Sequence, residues 1–147
     1  METQGLAPMS DGTRLHWAAL RGTARRTPVV MLHGGPGLPD YLGEIAPMVA
    51  DLAPVYRYDQ RGTGRSPWEG RHSLARHVDD LAGLLDAWNA PDAVLIGHSY
   101  GTDLASRFCL KHPHTGLVHR PRRPRTRLGL GRAGRPAPPS GQLGDEP

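Results

Sequence analysis

The chain has 147 residues, 18 of them Lys or Arg and 14 Asp or Glu, and one cysteine, Cys109; that is length enough for one domain with a real core and excludes an internal disulfide. The net charge of +4 is unevenly placed, because residues 1–110 carry −2 and residues 111–147 carry +6, so the body of the chain makes no electrostatic case for nucleic acid. No apolar run approaches the roughly 18 residues of a membrane span and the opening Met1-Glu2-Thr3-Gln4-Gly5 lacks the basic and apolar stretches of a secretion signal, which leaves a reducing, cytoplasmic setting as the expected one.

Asp11-Gly12 is a hairpin-turn signal between Leu6–Met9 and Thr13–Leu20. Leu15, Trp17 and Ala19 alternate with Arg14, His16 and Ala18, the pattern of a half-buried strand. A polar turn follows over Gly22–Arg26. The apolar run Pro28–Leu32 reads as a buried strand and ends in His33-Gly34-Gly35-Pro36-Gly37. Tyr41, Leu42, Ile45, Met48, Val49 and Leu52 have helical spacing, which predicts a helix across Pro39–Leu52 despite Pro47. Val55–Tyr58 is the next strand and closes in a loop over residues 59–67.

The clearest helix is predicted from the steps of four and three between Leu74, Val78, Leu81, Leu85 and Trp88, with Ser73 as its cap. Pro91-Asp92 stops it, Ala93–Ile96 is a strand, and a helix runs from Thr102 to His112. Strands alternating with helices imply a parallel sheet covered on both faces. The three Gly-rich loops then fall at the carboxyl ends of strands, where open α/β sheets place their sites.

Gly97-His98-Ser99-Tyr100-Gly101, between a strand and a helix, is the pattern of a nucleophile elbow, a turn so tight that it thrusts one serine hydroxyl outward. Glycines flank it because side chains would collide there. Ser99 is therefore the candidate nucleophile. His98 adjoins it in sequence, but neighbours across a tight turn point apart, so His98 is read as packing. His33 is read as orienting its loop, and Arg61 as tying residues 59–66 to nearby carbonyls. No Lys-Ser/Thr pair follows Gly34–Gly37, which argues against a phosphate cradle. Nothing in the sequence asks for a cofactor or a metal.

Taken in order, His33–Gly37, Asp59-Gln60-Arg61-Gly62-Thr63-Gly64-Arg65-Ser66 and Gly97–Gly101 resemble the α/β-hydrolase fold, and more narrowly its proline iminopeptidase-like branch, serine aminopeptidases that release N-terminal proline. The resemblance covers about residues 10–113. It implies a mostly parallel sheet flanked by helices and a small-molecule or short-peptide substrate. It also implies an oxyanion hole from the backbone N–H of Tyr100 and one from Gly34 or Gly35. An esterase or other acyl hydrolase on the same fold is the near alternative.

The same resemblance implies a triad in the order Ser, acid, His, with the last two supplied by later strands. After Ser99 the chain offers Asp103, His112, His114, His119, Asp145 and Glu146, none at a matching position. The expectation is an incomplete fold without triad acid or base, inactive as it stands. Residues 1–114 are read as the N-terminal half of a hydrolase domain. The strand before the elbow then lacks a neighbour on one side. Residues 115–147, rich in Arg, Pro and Gly, are read as a disordered basic tail translated out of frame. A binding module whose tail contacts nucleic acid is the alternative from another class.

Overall fold

The computed structural model describes residues 1–22 and 26–113. The expectations placed on the centre of the 22–26 turn and on residues 114–147, the tail and its acids and histidines among them, lie outside the described residues.

Five strands form one sheet: β1 (Glu2–Pro8), β2 (Arg14–Leu20), β3 (Val29–Leu32), β4 (Val55–Tyr58) and β5 (Val94–Gly97), in the order β1-β2-β4-β3-β5. Strands β3, β4 and β5 run parallel, and β2 is antiparallel to both of its neighbours, β1 and β4. Chain direction explains the order. From β3 the chain crosses to β4 through α1 (Ala46–Ala50), then returns over β3 through α2 (Leu74–Ala87) to reach β5. The two crossovers leave in opposite directions, so right-handed connections put α1 on one face and α2 on the other. The loops after β3 and β5 meet where the direction reverses, the usual place for a site in an open α/β sheet.

The two faces bury separate cores. Val30, Leu32, Leu15 and Tyr58 pack under α2 and α3 (Tyr100–Lys111), against Val78, Leu81, Leu85, Leu104 and Phe108. Val29, Met31 and Val55 pack under α1 with Leu42 and Ala46. All four residues of β3 are buried, which explains an apolar run with no alternation.

Helix α2 starts where Ser73 Oγ accepts the N–H of Arg76 at 3.2 Å. Its buried face holds Val78, Leu81 and Leu85 as predicted, and also His77, Asp80 and Leu84. Three expectations need correction. Strand β1 begins at Glu2, not Leu6, because its pairing with β2 runs its whole length. On β2, His16 and Ala18 are buried as well as Leu15: the His16 ring meets Asp59, and α1 packs against the same strand. The helix expected over residues 39–52 is a 3-10 turn, Leu42–Glu44, followed by the five residues of α1, with Pro47 in its first turn. A proline fits the first turn of a helix and breaks one further along. Tyr41, Ile45, Met48 and Leu52 face outward instead of into the core.

Strand β5 is an edge of the sheet among the described strands, as the missing-neighbour reading expected, and Ile96 on it is 41% exposed.

Candidate active site

Strand β5 is extended to Gly97, and Ser99 then takes φ 52° and ψ −121° at the cap of α3. A side chain at positive φ outside the helical left-handed well is strained by about 1–3 kcal/mol, and such strain persists only where surroundings enforce it. The enforcement is visible in the two glycines. A Cβ on Gly101 would lie 2.1 Å from the carbonyl oxygen of Leu32, and one on Gly97 would lie 2.4 Å from that of Gly101. Helix α3 is thus pressed onto the end of β3. The turn is closed by Gly101 N–H to His98 O at 2.9 Å and Thr102 N–H to Ser99 O at 2.8 Å. Ser99 is exposed, and its hydroxyl makes no capping bond.

The register Leu32↔Gly97 sets the loop after β3 beside the elbow. A Cβ on Gly34 would stand 3.2 Å from Ser99 Cβ, 3.3 Å from His98 Nδ1 and 2.5 Å from Tyr41 Oη. The three side chains converge on a spot smaller than a methyl group. His33 is fully buried: its Nε2 accepts the N–H of Gln60 at 3.0 Å, which leaves Nδ1 to donate to Gly34 O at 2.7 Å. Gln60 Nε2 donates back to His33 O at 2.8 Å. The loop-orienting role read for His33 is realised through residue 60.

Of the amides expected around a developing oxyanion, that of Gly34 donates to Tyr41 Oη at 2.8 Å. Those of Gly35 and Tyr100 meet no protein acceptor among the described residues. His98 is not packed inside, contrary to expectation. It is exposed, and its Nδ1 lies 2.5 Å from Tyr41 Oη. Its ring and Ser99 Cβ both approach Gly34, because the loop after β3 flanks the elbow from that side.

A polar floor underlies the two loops. Arg61, fully buried, grips Asp80 of α2 with Nε and Nη2 at 2.9 and 2.6 Å, and reaches Asp11 and Thr13 Oγ1 with Nη1 at 2.8 and 2.7 Å. Its partners are carboxylates and a hydroxyl, not the carbonyls expected. Arg61 is held even more firmly protonated by its bonds to Asp80, and its bond to Asp11 draws that carboxyl down to about 2. Tyr100 Oη lies 3.1 Å from His77 Nδ1, and burial with His72 and Arg61 nearby pushes His77 down to about 4. His77 is neutral at neutral pH.

Beside this floor lies a second serine. Ser66 Oγ, buried, accepts the backbone N–H of His16 at 2.8 Å, and His16 Nδ1 is 3.3 Å from Asp59 Oδ2. Burial lowers His16 below the usual imidazole range, with Arg65 adding to it. Asp59 also accepts the N–H groups of Asp40 and Arg65.

Tyr41, His77 and Asp80 are parts of the site region that the sequence reading did not assign. A tyrosine eight residues after the histidine of the loop was the available signal for the first; the other two sit in a helical stripe and carry no local signal.

Among the described residues no group of three or more His, Cys, Asp or Glu could hold a metal, and no helix is long and apolar enough to cross a membrane.

A profile of the alpha/beta hydrolase fold matches residues 27–118. The chain is 35% identical over 120 residues to a proline iminopeptidase of Heyndrickxia coagulans, covering 77% of this chain and 40% of that protein. It is 33% identical over 107 residues to epoxide hydrolase B of Mycobacterium tuberculosis, covering 69% of this chain and 30% of that one. A crystal structure of an alpha/beta hydrolase from Novosphingobium aromaticivorans superposes with a TM-score of 0.70 at 26% identity, over 78% of this chain and 41% of that one. The chain therefore spans well under half the length of these relatives.

Proposed function

The chain belongs to the alpha/beta hydrolase family, and from that premise we propose that it carries the nucleophile and oxyanion donors of a serine hydrolase, of the proline iminopeptidase-like kind. The observation that carries the reading is the backbone of Ser99: exposed, at positive φ, at the head of α3 and against Gly34.

In this reading Ser99 Oγ attacks the carbonyl carbon of a small ester, amide or short peptide. The carbonyl oxygen becomes an oxyanion as the tetrahedral intermediate forms, and the free amides of Tyr100 and Gly35 receive it. The N–H of Tyr100 points from the start of α3, where the helix dipole favours negative charge. One such donor is worth about 3–4 kcal/mol of barrier. Gly34 serves through Tyr41. The chemistry needs a hydroxyl and amides and calls for no cofactor. With Cys109 the one cysteine, a reducing cytoplasm suits the chain.

A serine hydroxyl is almost wholly protonated at neutral pH and must pass its proton to a base. Among the described residues no imidazole or carboxylate is bonded to Ser99 Oγ. The reading assigns triad acid and base to no residue of this chain. Loss of the base alone costs about 10⁶ in turnover in a serine enzyme that carries the same triad on another fold, so the 147-residue chain is expected to be inert. Hydrolysis of a prolyl-arylamide and of p-nitrophenyl acetate is compared between the chain and Ser99→Ala. Equal rates are expected on both substrates. A Ser99-dependent rate on either contradicts the inert state, and the faster substrate then decides between aminopeptidase and esterase.

A further inference from the structure

Tyr41 sits where a ligand oxygen would be sought. Its hydroxyl accepts the N–H of Gly34 at 2.8 Å and lies 2.5 Å from His98 Nδ1. Its ring meets that of His98 edge-on at 5.8 Å and that of His33 at 6.2 Å. Both Tyr41 and Ser99 are exposed, and one Cβ on Gly34 would touch Tyr41 Oη, His98 Nδ1 and Ser99 Cβ together. A structural tyrosine would bury its ring; this one is 43% exposed and brings its polar end to the elbow.

A phenol has one proton to give and two lone pairs to receive. One lone pair is taken by Gly34 N–H, and a phenol that accepts such a bond becomes a stronger donor, because hydrogen bonds in series polarise one another. Its own proton has two destinations at this site: Nδ1 of His98, in the tautomer that leaves that nitrogen a lone pair, or an oxygen of a molecule held on Ser99. Resting on the serine-hydrolase reading above, we propose that Tyr41 is a third oxyanion donor of the site, relaying the Gly34 amide to the ligand, and that His98 competes with the ligand for its proton. In the unliganded protein the proton rests on the Tyr41–His98 bond. As negative charge develops on the ligand oxygen, the phenol turns its O–H from His98 to that oxygen while Gly34 N–H remains bonded to it. No proton is transferred and no covalent bond of Tyr41 changes. Tyr41 thus does for the β3 loop what a free backbone amide does elsewhere, with a longer reach.

Phenylboronic acid tests this on the full chain, because it mimics the tetrahedral anion and needs no base from the protein. The bond formed is Ser99 Oγ–B, the serine proton passes to solvent, and boron becomes a tetrahedral anion. Affinity is read by boron NMR or calorimetry for the chain and its variants. Tyr41→Phe is expected to weaken binding about 10-fold, the worth of one hydrogen bond to a charged oxygen. His98→Leu is expected to tighten it roughly 3-fold by removing the competing acceptor, and Tyr41→Phe/His98→Leu to show no such gain. The opposite sign of the two single variants is a readout that shared structural support would not give. Binding that needs Ser99 but is unchanged in Tyr41→Phe overturns this proposal and spares the reading of Ser99. Equal weakening by both single variants does the same. No binding, or binding kept in Ser99→Ala, overturns both. Should Tyr41→Phe fail to fold, the sign of the His98→Leu effect decides alone.

Discussion

Ser66 and Ser99 are two serines in loops at the same end of one sheet, and residue types alone would favour the wrong one. Ser66 is bonded to a residue whose imidazole pairs with an aspartate, residue types that a triad would use, yet it is fully buried and its Oγ is spent accepting the His16 backbone N–H. Among the described residues Ser99 has no side-chain partner, yet it is exposed, strained and beside amides that none of them engages. Backbone conformation and access distinguish a candidate nucleophile from a structural hydroxyl; neighbouring residue types do not. The Ser66 region is a rivet and the Ser99 region a sprung turn, and substitutions ought to separate them.

The largest effect belongs to the rivet. Arg61→Met leaves Asp80 buried without its partner and is expected to cost about 3–5 kcal/mol in urea unfolding, a large share of the stability of a domain this size. Retention of full stability would show that the buried guanidinium is not what holds the two loops to α2.

Acid attacks the floor of the elbow next. His77 is held down to about 4 in the folded chain, whereas in the unfolded chain it protonates near the ordinary value of about 6.5. Between these values the unfolded state binds the proton and the folded state does not, so stability falls as pH drops from about 6.5 to 4, by about 3 kcal/mol. Below that range this histidine adds no further slope. Melts across this range should steepen for the wild type and flatten in His77→Gln; parallel curves would contradict the assignment.

The serines themselves should then differ in the same assay. Ser66→Ala strands a buried N–H and is expected to cost about 2 kcal/mol, while Ser99→Ala removes an exposed hydroxyl and costs under about 0.5 kcal/mol. Reversal of that order would undo the contrast between rivet and sprung turn. Opposite in sign, Ser99→Gly is expected to raise stability by about 1 kcal/mol, since glycine accepts φ 52° without strain. A loss on this substitution would mean that the turn stores nothing.

Much of this was legible in the sequence, for physical reasons that can be named. The glycines at 97 and 101 are demanded by backbone approaches of 2.4 and 2.1 Å, so the elbow announces itself wherever it occurs. The run Val29–Leu32 lacks alternation because both its faces are covered. Strand β1 was read short because Glu2, Thr3 and Gln4 are polar and exposed, and backbone pairing carries that segment.

The spacing from Tyr41 to Leu52 predicts one helix, but helical spacing says neither where Pro47 lets it start nor which side meets the sheet. With Pro47 confining α1 to five residues, only Leu42 and Ala46 are fully buried, and Tyr41 is released toward the elbow. Asp80 and His77 look like solvated positions in a linear reading. Their burial follows from Arg61 and Tyr100, partners 19 and 23 residues away.

Which hydroxyl can be reached and modified separates the two serines. Prolonged exposure of the 147-residue chain to an excess of a fluorophosphonate, followed by peptide mapping by mass spectrometry, addresses it most directly. A slow, single adduct on Ser99, absent from Ser99→Ala, is the predicted result. An adduct on Ser66, or labelling of Ser99 as fast as in active serine hydrolases, would contradict it.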